Sequence, residues 1–337
     1  MSNTPRKIHV FVLFFVLLPL TGCLLRNRRV VTHISTANLK DATLQQLVDS
    51  INTNAAGFKS FKAEVDIDAS LGGKKKGKVT DYKDYTDYPE LAGHILLRKP
   101  EMLRLRGSWG IAGTMFEMVN SGSGFSLSIP PKKKFWIGSN NVPDSIEMPD
   151  SAKTQSKQTR QQPLVAVLER LRPQSILDAL LLKEIGPNEE AVMEHGVEIV
   201  KDEKTHKDAE QADYVVIVIR KEDGNPPHLA RKIIFSRTDL LPHRQLIYDK
   251  QGRLVTDVRY DRFFQIGAIQ FPGVIDIERP IEEFDIQVSF SKESLHLDVP
   301  IADEQFVLTQ PPGTQLINLD DKTGISAPSN IQPASHP

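Results

Sequence analysis

Phe61-Lys62-Ala63-Glu64-Val65-Asp66-Ile67-Asp68-Ala69 alternates apolar and polar side chains without a break. Period-2 alternation sends successive side chains to opposite faces, so this stretch predicts a half-buried β-strand with Phe61, Val65 and Ile67 turned to a core. Strand signals recur at 93–98, 102–106, 114–119, 125–129 and 134–137, then at 197–200, 214–220, 230–237, 243–248, 254–263, 274–278 and 285–291. Tyr214-Val215-Val216-Ile217-Val218-Ile219 is apolar on both faces, which predicts cover on both sides. Tyr248-Asp249-Lys250-Gln251-Gly252-Arg253 predicts a hairpin turn with Gly252 at the positive-φ position. Short strands joined by turns imply a mainly β fold, a strongly curved, half-open antiparallel barrel of about 11 strands.

Two helical segments interrupt this pattern. Leu44, Leu47, Val48 and Ile51 fall at i, i+3, i+4 and i+7, one apolar stripe, with Asp41 or Thr43 as N-cap and Gly57 as the stop. A second helical stretch, 164–182, breaks at Pro173. Leu164, Val167, Leu168 and Leu171 form its first stripe; Ile176, Leu177, Leu180 and Leu181 make the second piece more apolar than a surface helix needs. Residues 138–162 are polar and aperiodic, which predicts a flexible insertion, and 320–337 reads as a disordered tail.

The N-terminus sets the compartment. Arg6 and Lys7 precede an apolar run over 10–20, too short to cross a ~30 Å hydrocarbon core, which needs about 20 residues. Leu20-Thr21-Gly22-Cys23 then resembles the bacterial lipobox. That resemblance implies a signal peptide over 1–22, a fatty acyl anchor such as palmitate on Cys23, and a tether over 23–39. Acyl chains at ~0.8 kcal/mol per buried CH₂ give a durable anchor. The tether's arginines either meet anionic headgroups or stay solvated. Leu24 follows the cysteine in place of the aspartate that retains lipoproteins in the inner membrane of enteric bacteria, so the expected site is the outer membrane, facing the periplasm.

Cys23 is the only cysteine, so its acylation leaves the mature chain no disulfide, thiolate nucleophile or cysteine-held metal. Removing Arg6 and Lys7 takes the formal charge from −1 to −3, which argues against a nucleic-acid partner.

The order of helix, strands, helical insertion and further strands resembles the LolA/LolB superfamily of lipoprotein carriers. Leu241-Pro242-His243-Arg244-Gln245-Leu246-Ile247-Tyr248-Asp249 with Gly252-Arg253-Leu254, Phe271-Pro272-Gly273-Val274-Ile275-Asp276-Ile277, Asp303-Glu304-Gln305-Phe306-Val307-Leu308 and Pro311-Pro312-Gly313 carry the resemblance, which spans 39–319. It implies a single domain over about 40–319 whose apolar concave face is lidded by helices and holds acyl chains without catalysis or cofactor. The lid leucines above then line a lipid cavity, although an ordinary core would use the same residues. In Arg106-Gly107-Ser108-Trp109-Gly110-Ile111-Ala112-Gly113 the resemblance makes Trp109 and Ile111 candidates for a membrane-contact loop; the alternative is a loop folded back as a plug.

Catalytic readings find no support in the motifs. G-x-S-x-G, H-E-x-x-H, a P-loop and a dinucleotide fingerprint are absent, and the histidines lack ligand spacing. Asp81-Tyr82, Asp84-Tyr85 and Asp87-Tyr88 are too widely spaced for a calcium loop. The expected function is therefore an anchored lipoprotein that takes acyl chains of lipoproteins or another lipid and assists their delivery to the outer membrane. Such a protein transport chaperone would receive its cargo from a periplasmic carrier protein. The alternative is a structural or sensory envelope lipoprotein that binds a protein partner.

Overall fold

A computed structural model describes residues 33–71, 86–87, 89–140, 173–202 and 204–320. The expected signal peptide, Cys23, the first lid stripe of Leu164, Val167, Leu168 and Leu171, most of the insertion and nearly all of the tail lie outside the described residues. The chain forms two compact units, one of Leu39–Gly196 and 212 onward, the other of 33–38 with Val197–Gln211.

Helix α1 (Leu44–Ala56) starts at Thr43, whose hydroxyl accepts from Gln46 N–H at 3.3 Å while Gln46 Oε1 accepts from Thr43 N–H at 2.8 Å. This reciprocal capping box satisfies two donors that a helix start leaves open. Gly57 caps the helix, its N–H donating to Asn54 O, and lies against Ile269: an added Cβ would stand 2.9 Å from Ile269 Cγ1.

The strands follow in order: β1 (Ser60–Leu71), β2 (Thr86–Asp87), β3 (Leu91–Arg98), β4 (Met102–Trp109), β5 (Gly113–Ser121), β6 (Gly124–Ile129) and β7 (Lys134–Ser139). Helix α2 (Pro173–Leu180) intervenes. Then come β8 (Glu189–Lys201), β9 (Asp208–Arg220), β10 (His228–Ser236), β11 (Pro242–Tyr248), β12 (Leu254–Asp261), β13 (Phe264–Ile266) and β14 (Ile269–Phe271). β15 (Val274–Arg279), β16 (Phe284–Phe290), β17 (His296–Leu297) and β18 (Gln315–Asn318) complete the set.

One large curved sheet runs β18-β7-β6-β5-β4-β3-β1-β16-β15-β12-β11-β10-β9-β8, with β2 and β17 also paired to β1 and β13-β14 a separate hairpin. β1 joins the two halves: Val65 faces Gly93 of β3 on one side and Phe290 of β16 on the other. Its alternation is obeyed, with Phe61, Ala63, Val65, Ile67 and Ala69 all buried.

Two features depart from the sequence expectation. The large sheet has 16 strands where about 11 were expected; three of them, β2, β17 and β18, are only two to four residues long, too short to show alternation. The sheet is not purely antiparallel either: β18 pairs parallel to β7, which covers that edge with a C-terminal strand. Among the described residues the sheet stays open between β18 and β8 and closes no barrel.

Gly138 and Ser139, at the start of the expected insertion, belong to β7. Asp320, at the start of the expected tail, is 1% exposed, and its carboxylate accepts from Ser139 N–H at 2.9 and 3.2 Å. The last residues of the tether are held in the smaller unit. Ser35 N–H donates to Glu210 O at 2.8 Å, and Thr36 N–H and hydroxyl both reach Asp202 Oδ2 at 2.8 Å. The Thr36 and Thr205 donors hold the Asp202 carboxyl well below the usual carboxylate range. Such pairing depends on partners some 170 positions away, which no local pattern reveals.

In the larger unit, α1 lays Leu47 and Ile51 on Tyr214, Val216 and Val218 of β9 and Ile233 and Phe235 of β10. That burial covers one face of the doubly apolar strand. Its other face, Val215, Ile217 and Ile219, is half-buried. Among the described residues, no helix is long and apolar enough to cross a membrane.

Candidate functional site

Helix α2 lies on the apolar face of the sheet. Ile176, Leu177, Ala179, Leu180 and the following Leu181 are all buried, in one cluster with Phe61, Leu105, Met118, Trp136, Val258 and Ile275. The second lid stripe of the sequence reading is therefore brought together as core. Burying each of these large side chains is worth about 1.5–3 kcal/mol.

Polar side chains fasten the C-terminal end of this helix. Tyr260 Oη donates to Ala179 O at 2.9 Å, and Gln245 Nε2 donates to Asp178 O at 3.1 Å. Arg231 donates to Lys183 O at 2.7 Å and to Glu184 O at 2.8 Å; Asn52 Oδ1 accepts from Ile185 N–H at 2.9 Å. The last carbonyls of a helix have no partner within it, so these donors supply what the fold otherwise leaves open. Burial raises the Tyr260 hydroxyl well above its ordinary pKa, which keeps it a donor.

Burial lowers the Arg231 guanidinium, against the pull of Glu189 at 3.0 Å. The same burial pushes the Glu189 carboxyl up, but Arg220 and Arg231 outweigh it and hold it below its usual value. The two guanidiniums thus share one carboxylate, and the latch stays charged.

A cavity of about 50 Å³ remains beside the fastened end, lined by Phe58, Leu180, Leu181, Phe263, Ile269 and Phe271 among others. At ~10–15 Å³ per water it holds only a few water molecules. Ligand pockets run to ~300–1,000 Å³, so with α2 in place this cavity is far smaller than one. Phe58 and Phe271 line it, and behind them Phe61 and Phe290 pack edge-to-face, with ring centroids 5.1–6.1 Å apart along the chain of contacts. At the mouth, Lys99 Nζ lies 3.7 Å over the Phe58 ring and donates to Ala55 O. Burial lowers its pKa, partly offset by Glu184 and Asp298.

The loop candidates stand apart from this cavity. Trp109 ends β4 and Ile111 sits in the 3₁₀ turn Gly110–Ala112, at 51% and 110% exposure. Gly110 and Gly113, both at positive φ, allow the tight turn that lifts Ile111 off the sheet. Neither side chain plugs the fold.

Elsewhere the chemistry is self-satisfied. A groove of about 570 Å³ is lined by Lys183, Glu189, Arg220, Lys221 and Glu222, but Arg220 pairs with Glu189, Lys221 with Glu190, and Glu222 with Lys250. Among the described residues, no cluster of His, Cys, Asp or Glu is placed to hold a metal. His243 pairs with Asp239 at 2.7 Å and packs edge-on to Phe263.

Sequence reasoning missed Lys99, Arg231, Gln245 and Tyr260. Arg231 left one trace: it shares strand parity with Ile233 and Phe235, a charged residue on the core side of β10.

No family model matches the chain, and no curated protein matches its sequence. Solved structures similar to it include a DUF1329 family protein from Desulfovibrio piger, with a TM-score of 0.47 and 14% identity over 78% of this chain and 95% of that one. A LolA superfamily protein from Nitrosomonas europaea matches with a TM-score of 0.44 and 13% identity, over 80% of this chain and 99% of that one. An outer membrane lipoprotein-sorting domain from Vibrio parahaemolyticus gives 0.42 and 9% identity, over 77% and 94% of the two chains. The structural neighbours thus include LolA superfamily proteins and a lipoprotein-sorting domain.

Proposed function

We propose that this chain is a lipid-anchored envelope lipoprotein that binds acyl chains in the space α2 now fills and assists their delivery to the outer membrane. The cargo is the acyl part of a lipoprotein or another lipid, and the reading needs neither a cofactor nor a catalytic group. The observation that carries it is the lid. Ile176, Leu177, Leu180 and Leu181 occupy the concave face as an acyl chain would, on and just after a helix described over eight residues whose C-terminal end is fastened by Tyr260 and Gln245.

The exchange balances energetically. Uncovering four such side chains costs about 6–12 kcal/mol at 1.5–3 each. A tail of about fourteen methylenes at ~0.8 kcal/mol each returns roughly 11 kcal/mol. A lid and a long-chain lipid are therefore near-equal competitors for one surface. The exposed Trp109 and Ile111 suit contact with the bilayer during delivery, since tryptophan favours the membrane interface.

A second reading, docking of a protein partner, is favoured by Val197 and Ile199 of β8, which stand 66% and 60% exposed.

Native mass spectrometry of the full-length protein, gently extracted from membranes, tests the carrier reading. Non-covalent acyl species are expected on the wild type and depleted on Leu177→Asp, because an unpaired charge on that apolar surface is costly. A protein free of lipid, or a Leu177→Asp variant carrying as much lipid as the wild type, overturns it. Cys23→Ser is expected to abolish the anchored, cleaved form; persistence on membranes after a high-salt wash overturns the anchor.

A further inference from the structure

Of the residues lining the cavity beside α2, Lys99 alone is charged. The rest of the wall is apolar or neutral: Phe58, Leu181, Phe263, Ile269 and Phe271 dominate it. A cation at the mouth of an otherwise apolar cavity is costly to leave without a counter-charge. Among the described residues no carboxylate lies within 4.0 Å of Lys99 Nζ; the acids that act on it, Glu184 and Asp298, do so from further away. One of its protons goes to Ala55 O at the end of α1, and the Phe58 ring lies beneath it. An ammonium carries three donors, so the site retains donor capacity for an incoming group.

The geometry points to Lys99 as a headgroup subsite: the occupant is an amphiphile whose apolar chain runs along the concave face and whose anionic head, a carboxylate or a phosphate, pairs with the Lys99 ammonium at the mouth. This rests on the reading that acyl chains replace α2. It narrows the cargo, because the acylated terminus of a lipoprotein carries no anion beside its chains, whereas a fatty carboxylate or an anionic phospholipid does. The aromatic lining and the cation then divide the work: Phe58, Phe263 and Phe271 take the chain, and Lys99 selects the head.

The test uses the full-length protein in phosphatidylcholine vesicles with four photoreactive diazirine probes: palmitate, the matched fatty alcohol, phosphatidylglycerol and phosphatidylcholine. Labelled peptides are mapped by mass spectrometry. Palmitate or phosphatidylglycerol is expected to label peptides containing Leu180–Leu182 or Ile269–Phe271 about tenfold more than its uncharged or zwitterionic counterpart, the usual margin of a charge-assisted over a neutral hydrogen bond. Preference for palmitate assigns a fatty carboxylate, and preference for phosphatidylglycerol assigns a phosphate head. Lys99→Gln, which keeps a donor for Ala55 O, is expected to erase that preference while fatty-alcohol labelling persists, and Lys99→Arg to retain it. Equal labelling by charged and uncharged probes, or a preference that survives Lys99→Gln, overturns the headgroup subsite and leaves acyl binding intact. No cavity labelling by any probe overturns acyl binding itself, and the subsite with it.

Discussion

Tyr260→Phe separates a lid that competes with lipid from a lid that is only core. The ring is 5% exposed and packs in the central cluster, so phenylalanine preserves the packing and removes one hydroxyl. What is lost is the 2.9 Å hydrogen bond to Ala179 O, a carbonyl in the last turn of α2 with no helical partner. A buried acceptor left unpaired costs about 1–3 kcal/mol. Gln245 Nε2, 3.5 Å from the lost hydroxyl, is already engaged with Asp178 O and cannot fully replace it. Against a total stability of about 5–15 kcal/mol the fold survives, and the loss falls on the lid. If lid and acyl chain compete for one surface, each ~1.4 kcal/mol taken from the closed lid tightens apparent lipid affinity tenfold, so 1–3 kcal/mol corresponds to roughly 5- to 150-fold. Titration with a fluorescent fatty acid measures the affinity, urea unfolding measures the stability, and hydrogen exchange at amides 177–185 locates the loss. Lower stability with unchanged or weaker fatty-acid binding would refute the reasoning, because the lid would then not stand in the ligand's place.

The exposed loop gives a second prediction: Trp109→Glu with Ile111→Glu is expected to change stability by no more than about 0.5 kcal/mol while abolishing lipid transfer to liposomes. A large fall in the unfolding midpoint would show that the pair is packed. At Gly107 a Cβ would stand 2.4 Å from Phe116 Cε1 and 3.1 Å from Leu91 Cδ1, so Gly107→Ala is expected to cost about 1–3 kcal/mol in urea unfolding. The His243–Asp239 pair sets a pH dependence. Burial lowers the imidazole, but Asp239 outweighs it and holds the His243 pKa above its ordinary value; in return His243 holds the Asp239 carboxyl below its own, against its burial. The histidine's contribution is complete below its unfolded pKa of about 6.5 and is lost as pH rises through the raised folded value. The carboxyl's contribution is complete above about 3.9 and is lost as pH falls through the lowered one. His243→Gln is therefore expected to flatten the decline in urea midpoint between about pH 6 and 8, and an equal decline in both proteins would rule the pair out.

Much of the fold was legible along the chain. The alternation from Phe61 to Ala69 named the inward residues of β1 one by one, and the Leu44–Leu47–Val48–Ile51 stripe marked α1 together with its Thr43 start. Gly252, at φ 76°, sits in the turn between β11 and β12 that its neighbours announced. The surplus apolarity of Ile176, Leu177, Leu180 and Leu181 marked α2 as more than a surface helix, and all four are buried. Each of these is a local property: a side chain's direction follows from the backbone period, and a cap from its neighbours.

What lay out of reach was anything requiring a partner distant in sequence. That β1 pairs with β16, that β18 runs parallel to β7, and that 33–36 is held by Asp202 and Glu210 are decided by which surfaces remain to be covered once the chain collapses. Periodicity told which residues of α2 face inward but not whether they meet a void or other side chains. Only the packed structure shows α2 lying on that face with a cavity of about 50 Å³ beside it. Lys99, Gln245 and Tyr260 are ordinary residues on ordinary turns and strands, and each acquires its role from a carbonyl at least 44 positions away. Which faces are apolar can be read along the chain, because it is written in single side chains; what those faces enclose emerges only on packing, because enclosure belongs to the sum of all of them.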